Sequence, residues 1–196
     1  MFDCVVIGAG VVGAMTAREL TKNGLKVCIV DKENDVAMGA TKANSAIVHA
    51  GFDAKEGSVK AKMNVRGSQM MQKVCEELGV KYIRNESLVV AFESERAEVE
   101  AIYERGVKNG VEGLRIIEKD ELMELEPNLN PELSCALLAP TGAIVCPYEL
   151  CIASVGNAMD NGATLKLNFE VNKIESMDGG FKLSSDTDSV EARYII

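Results

Sequence analysis

Two hydrophobic periods alternate along the chain. Phe2 to Ile7 is a short apolar run ending at Gly8, and Val12 to Asn23 then repeats apolar residues at helical spacing up to Gly24. Lys26 to Val30 is a second apolar run. Two buried strands bracketing one helix make a βαβ unit, which requires a parallel sheet and a right-handed crossover. Ser58 is placed to cap a long helix in which Met63, Met71, Val74 and Leu78 recur at helical spacing, with Gly79 as its stop.

The pattern changes after Gly79. Lys81 to Arg84 and Leu88 to Phe92 read as strands, Ser94 to Asn109 as an amphipathic helix, and the acidic stretch before Pro127 as another helix. From Pro147, a favourable first helical residue, the α/β pattern resumes with a helix to Asn161, Gly162 as its stop and a strand over Thr164 to Phe169. Val171 to Val190 alternates in strand fashion around Asp178-Gly179-Gly180, a hairpin signal, so a β-meander replaces a crossover helix. Arg193 to Ile196 begins a further apolar strand. The fold class is therefore α/β, a Rossmann-like parallel sheet with a meander crossover and part of an inserted α+β region. The expected boundaries are 1–79 and 147–196 for the dinucleotide fold and 80–146 for a substrate or cap region.

Composition narrows the function classes. With 47% hydrophobic and 26% charged residues the 196-residue chain is an ordinary globular sequence. A net charge of -9 argues against a nucleic-acid partner or a general anionic-membrane binder. Six cysteines without a CxxC pair read as reduced thiols, which points away from zinc or a disulfide framework and toward the cytoplasm. No segment has the roughly 18 uninterrupted apolar residues of a membrane span. Peripheral contact with a membrane, or with an electron-acceptor protein, stays compatible with this composition.

Gly8-Ala9-Gly10-Val11-Val12-Gly13 is GxGxxG set between a strand and a helix, the context in which that pattern carries meaning. Gly8 permits a tight turn, Gly10 leaves room for a pyrophosphate, Gly13 allows close helix–sheet packing, and the helix N-terminus offers N–H donors to phosphate. Asp31, with Lys32 after it, closes the second strand where a carboxylate accepts from a ribose hydroxyl. NAD and FAD share this fingerprint. The meander favours FAD, as does the stretch Gly39 to Gly51, small and polar and then apolar, which carries the single histidine, His49.

These residues resemble the flavin-dependent dehydrogenases and oxidases of the D-amino-acid oxidase superfamily, in the branch of glycerol-3-phosphate and L-2-hydroxyglutarate dehydrogenases. The resemblance rests on GAGVVG, Asp31, Thr41-Lys42-Ala43-Asn44-Ser45, Val48-His49-Ala50-Gly51, Glu126-Pro127-Asn128 and Gly142-Ala143-Ile144-Val145. It implies FAD as cofactor, with Thr41, Asn44 and Ser45 wrapping its phosphate and ribityl region, backbone near Val171 bordering the adenine, and His49 close to the reactive ring. Members more often carry Glu where this chain has Asp31. The family's strand at Arg193 to Ile196 continues into a further cofactor-touching turn and more substrate domain, so the chain reads as the N-terminal part of a larger protein.

On composition alone, a lone histidine in an apolar strand is a buried, hydrogen-bonded core residue. The resemblance makes His49 instead the base that takes a substrate hydroxyl proton. Lys42 to Arg66 carries a local charge of +3 in an acidic chain. The bland account is a solvated helix face with a Glu56–Lys60 pair, and the functional one is attraction of a small anionic substrate. The expected activity is oxidation of glycerol 3-phosphate to dihydroxyacetone phosphate, with an L-2-hydroxy acid substrate, a catalytically inactive flavin-binding fragment and an NAD-linked enzyme as the alternatives.

Overall fold

The computed structural model describes residues 1–196. In chain order its first elements are β1 (Phe2–Ile7), α1 (Val11–Lys22), β2 (Val27–Val30), β3 (Ile47–Val48), α2 (Val59–Leu78), β4 (Tyr82–Ile83) and β5 (Ser87–Ala91). Then come α3 (Arg96–Lys108), β6 (Arg115–Glu118), α4 (Lys119–Leu125), β7 (Cys135–Ala139), β8 (Ala143–Val145) and α5 (Pro147–Asp160). The chain ends with β9 (Thr164–Lys166), β10 (Lys173–Met177), β11 (Gly180–Ser184) and β12 (Ser189–Ile195).

These elements form two compact units. One comprises Met1–Ser45, Leu78–Val80 and Cys146–Ile196, the other Ala46–Glu77 and Lys81–Val145. Residues 46–77, grouped above with the dinucleotide fold, thus pack with the cap segment, because β3 is zipped antiparallel to β8 through Ile47 and Ile144.

The first unit is built on a six-stranded sheet in the order β10-β11-β12-β1-β2-β9. β12, β1, β2 and β9 run parallel, while β10, β11 and β12 form the antiparallel meander. Period-two alternation divides each central strand between two cores. Cys4, Val6, Val27 and Ile29 pack with Ala14 and Ala17 of α1 and Cys151, Val155 and Ala158 of α5. Val5, Cys28 and Val30 face the other way, onto Phe169, Leu183, Val190 and Ala192. Meander side chains therefore cover the face that a crossover helix covers in other doubly wound sheets. Full burial of a side chain such as Ile29 stabilises the sheet by about 1.5–3 kcal/mol.

Two sequence expectations are corrected here. The final strand starts at Ser189, not Arg193: the third meander strand and the last parallel strand are one continuous β12, antiparallel to β11 and parallel to β1. The strand expected over Thr164 to Phe169 stops at Lys166, because the chain turns through Asn168, at φ 54°, to donate N–H groups to the Glu33 and Asp31 carbonyls.

In the second unit, β5-β7-β6 and β3-β8-β4 are three-stranded antiparallel sheets. α3 and α4 supply the helical cover of the β5-β7-β6 sheet, with Val99 packed on Ala91, Cys135 and Leu137, and Leu122 on Ile117, Ala136 and Leu138. Ser58 caps α2 as expected, its Oγ accepting the Ala61 N–H at 3.1 Å. Glu56 does not pair with Lys60: it lies ahead of the helix, and its partner is Lys108 of α3 at 3.6 Å.

Candidate functional site: a dinucleotide cradle and an exposed histidine

Gly8 leaves β1 at φ +107°, a conformation that side-chain-bearing residues rarely adopt, and a Cβ there would meet nothing within 4 Å. Gly13 answers the opposite need. A Cβ on it would stand 2.0 Å from the Gly8 carbonyl oxygen, so only glycine lets α1 begin this close to the end of β1. The helix opens on Gly10 without a capping side chain of its own and without an acidic residue in its first turn. Thr41 reaches in from the 3₁₀ turn Ala40–Lys42 and its Oγ1 accepts the Val11 N–H at 3.0 Å. The Val12 and Gly13 N–H groups have no acceptor within the chain, since the first backbone bond of the helix runs from Ala14 N to Gly10 O. Unspent donors and the positive helix end together favour an anion.

Beside this turn lies a cavity of about 340 Å³, lined by Ile7, Gly8, Val30, Asp31, Lys32, Phe169, Glu170 and Val171. Its volume falls in the range of about 300–1,000 Å³ typical of small-molecule and cofactor sites. Four residues singled out from sequence, Gly8, Asp31, Lys32 and Val171, line it together.

Asp31 does more than line the cavity. Its Oδ2 accepts the Ala9 N–H at 2.6 Å and its Oδ1 accepts the Glu33 N–H at 2.9 Å, which ties the glycine turn to the end of β2. A carboxylate has about four lone-pair positions, so two stay free for a ligand hydroxyl. Ala9 is buried and committed internally: its carbonyl accepts the Ala37 N–H at 3.0 Å and the Cys151 thiol at 3.3 Å. Burial pushes that thiol up to about 11, which keeps it a neutral donor. Asn44 holds the 3₁₀ turn through Nδ2, bonded to the Ala40 and Thr41 carbonyls at 3.2 and 2.8 Å, and Ser45 follows exposed.

A glycine-floored turn, unspent helix-end donors and a cavity bounded by a carboxylate fit the diphosphate and adenosine of FAD. Gly8, Gly10, Val12, Gly13 and Thr41 would meet the diphosphate, and Asp31, Lys32 and Val171 the adenosine end.

His49 belongs to the second unit. Val48 and Ala50 on either side are buried, and alternation at the end of β3 turns His49 outward, so it is exposed rather than a core histidine. Its carbonyl accepts from Asn64 Nδ2 at 2.9 Å. Three further bonds fix the same loop. Arg105 Nε donates to the Phe52 carbonyl at 3.1 Å, and Asn109 Nδ2 to those of Gly51 and Ala54 at 3.0 and 2.8 Å. Sequence reasoning did not find Asn64, Arg105 or Asn109. The one available signal was the spacing of Arg105 and Asn109, four apart on one helix face.

The family model for FAD dependent oxidoreductases, DAO, matches residues 3–196. Glycerol 3-phosphate dehydrogenase of Caloramator mitchellensis is 43% identical over 197 residues, covering 100% of this chain and 41% of that protein. Mitochondrial L-2-hydroxyglutarate dehydrogenase of Pongo abelii is 34% identical over 188 residues, covering 94% of this chain and 44% of that protein. Dithionite-reduced L-alpha-glycerophosphate oxidase from Mycoplasma pneumoniae, solved with FAD bound, superposes with a TM-score of 0.92 at 29% identity, over 99% of this chain and 53% of that one. The chain thus spans about two fifths of the length of these curated relatives. With the cradle, the meander and these matches in hand, the chain belongs to the DAO family of FAD dependent oxidoreductases.

Proposed function

We propose that this protein oxidises the secondary alcohol of a small anionic substrate, glycerol 3-phosphate to dihydroxyacetone phosphate, with His49 as the base. The observation that carries the reading is the exposure of the only histidine at the end of β3, where a core residue would be buried. His49 takes the hydroxyl proton onto its imidazole as the carbinol C–H bond breaks, leaving a ketone. FAD, when bound, supplies the two-electron acceptor for the hydride. The first-unit cradle holds the diphosphate through backbone N–H groups and orients the cofactor. α2, whose Asn64 bonds the His49 carbonyl, carries exposed Lys60, Lys62, Arg66 and Lys73. Lys60, four residues before Asn64, shares its side of the helix, and a positive charge there attracts a phosphate or carboxylate and supports an anionic substrate.

Similarity to glycerol 3-phosphate dehydrogenase at 43% identity favours glycerol 3-phosphate over an L-2-hydroxy acid. The second reading rests on the 34% identity to L-2-hydroxyglutarate dehydrogenase. The test is anaerobic bleaching of the flavin absorbance by each compound. Glycerol 3-phosphate is expected to bleach it, and His49→Ala and His49→Gln to slow bleaching by a factor of roughly 10²–10⁴ with FAD still bound. Undiminished bleaching in both variants refutes the role of His49, and bleaching by L-2-hydroxyglutarate alone transfers the assignment to the second reading.

A further inference from the structure

We propose that Asn64, Arg105 and Asn109 are positioning residues that preset the His49 loop for proton transfer, an inference that rests on the base role of His49 given above. Residues 49–54 have no regular structure, yet four of their carbonyls, at His49, Gly51, Phe52 and Ala54, are each held by a side chain from α2, from α3 or from Asn109, which caps α3. An ordinary surface loop bonds itself or water. Here two helices spend three side chains on one six-residue segment.

Close packing accompanies the bonds. Gly51 sits at φ +113° with room for no Cβ, since one would lie 2.6 Å from Val65 Cγ2 of α2. Gly106, on α3 between the two clamping residues, lets Phe52 approach: a Cβ there would lie 2.8 Å from the Phe52 Cβ. Asn109 shows what the arrangement sacrifices. Both its Nδ2 hydrogens face loop carbonyls, which leaves Oδ1 buried without any partner. A buried polar atom left unsatisfied is destabilising and calls for a compensating use, and the two donated bonds are that use. Fixing the backbone on either side of His49 restricts the directions open to its imidazole, and a base misplaced by about 1 Å loses on the order of 10²-fold in rate.

The test uses the FAD-loaded chain with glycerol 3-phosphate as reductant. Asn64→Ala and Asn109→Ala are expected to speed amide exchange across 49–54 about tenfold while β1 and α1 keep wild-type protection. Both are expected to lower kcat for flavin reduction by about 10-fold or more with KM and FAD affinity unchanged. Arg105→Ala follows the same pattern, and Arg105→Lys, which keeps a donor for the Phe52 carbonyl, recovers most of the loss. Asn64 is half-buried and makes its one bond to the loop without leaving a buried atom unpaired, so its variant carries the test should Asn109→Ala not fold. Faster loop exchange with wild-type kcat overturns the proposal, and so does a fall in kcat without any change in exchange. Full activity in His49→Ala overturns it as well, and that one variant separates failure of the base assignment from failure of the clamp.

Discussion

Asp31→Ala separates the bracing role that the structure gives this side chain from the ribose-ligand role that we propose for it. A carboxylate serving only as a ribose ligand would matter only when FAD is bound. The observed carboxylate also accepts from the N–H groups of Ala9 and Glu33, at 2.6 and 2.9 Å. Hydrogen bonds to a charged group contribute about 1.5–3 kcal/mol each, the upper end applying where the donor is left buried and unpaired. Ala9 is fully buried and Glu33 is not, so we weight the first bond and expect Asp31→Ala to lower the stability of the apoprotein by about 3 kcal/mol. For a chain of this size each kcal/mol shifts Tm by about 2–4 °C, which makes the expected fall about 6–12 °C. Asp31→Asn keeps one acceptor oxygen but turns an NH₂ toward the second donor, and about half the loss is expected. Circular-dichroism melting of the apoprotein reads the first effect. Titration with FAD, followed by quenching of its fluorescence, reads the second, an affinity lower by about tenfold or more. An apoprotein Tm within a degree of wild type, together with weakened FAD binding, would refute the brace and leave a ligand role alone.

Glycine substitutions supply a contrast. Gly13→Ala drives a Cβ to 2.0 Å from the Gly8 carbonyl oxygen, so a loss of about 3 kcal/mol and failure to retain FAD on gel filtration are expected. Gly156→Ala, mid-helix in α5 with nothing within 4 Å, should stabilise the chain by about 0.5–1 kcal/mol in urea unfolding. Burial also pushes the Cys28 and Cys151 thiols up from 9.0 to about 11. The unfolded chain releases these protons first, so stability is full below pH 9 and falls toward pH 11 by about 2–3 kcal/mol per thiol. Urea midpoints across that window check this, and Cys28→Ala should flatten the decline. An identical slope in that variant contradicts the assignment.

The parts of the fold legible in the sequence are those whose cause is local. β1, α1, β2, α2 and α5 announce themselves by period, cap and stop, as do the Asp178-Gly179 turn and the glycine turn between β1 and α1. β7 does not, because Cys135 to Ala139 is buried at every position and so has no alternation to read. β3 and β8, of two and three residues, are too short for a period and exist because they pair with each other. β12 reads as two strands in the sequence because its first half pairs antiparallel and its second half parallel, and only the neighbouring strands show the two halves to be continuous.

The same division governs the site. Gly8, Gly13 and Asp31 could be found because a ligand-binding turn must concentrate them within one βαβ unit. The residues that hold His49 could not, since Arg105 and Asn109 lie more than fifty positions from the carbonyls they bond and look like ordinary polar positions of an exposed helix. For Asp31 the sequence reading covers a ligand role alone, while the structure shows a brace. Spacing from the glycines says where its carboxylate stands but not that the shorter side chain reaches back to the Ala9 N–H. A glutamate, one methylene longer, would carry its oxygens past that donor. The choice of acid at this position therefore sets how much of the carboxylate is spent on holding the turn and how much is left for a ligand hydroxyl. This predicts that Asp31→Glu exchanges apoprotein stability for cofactor contact: a lower apoprotein Tm with FAD affinity retained.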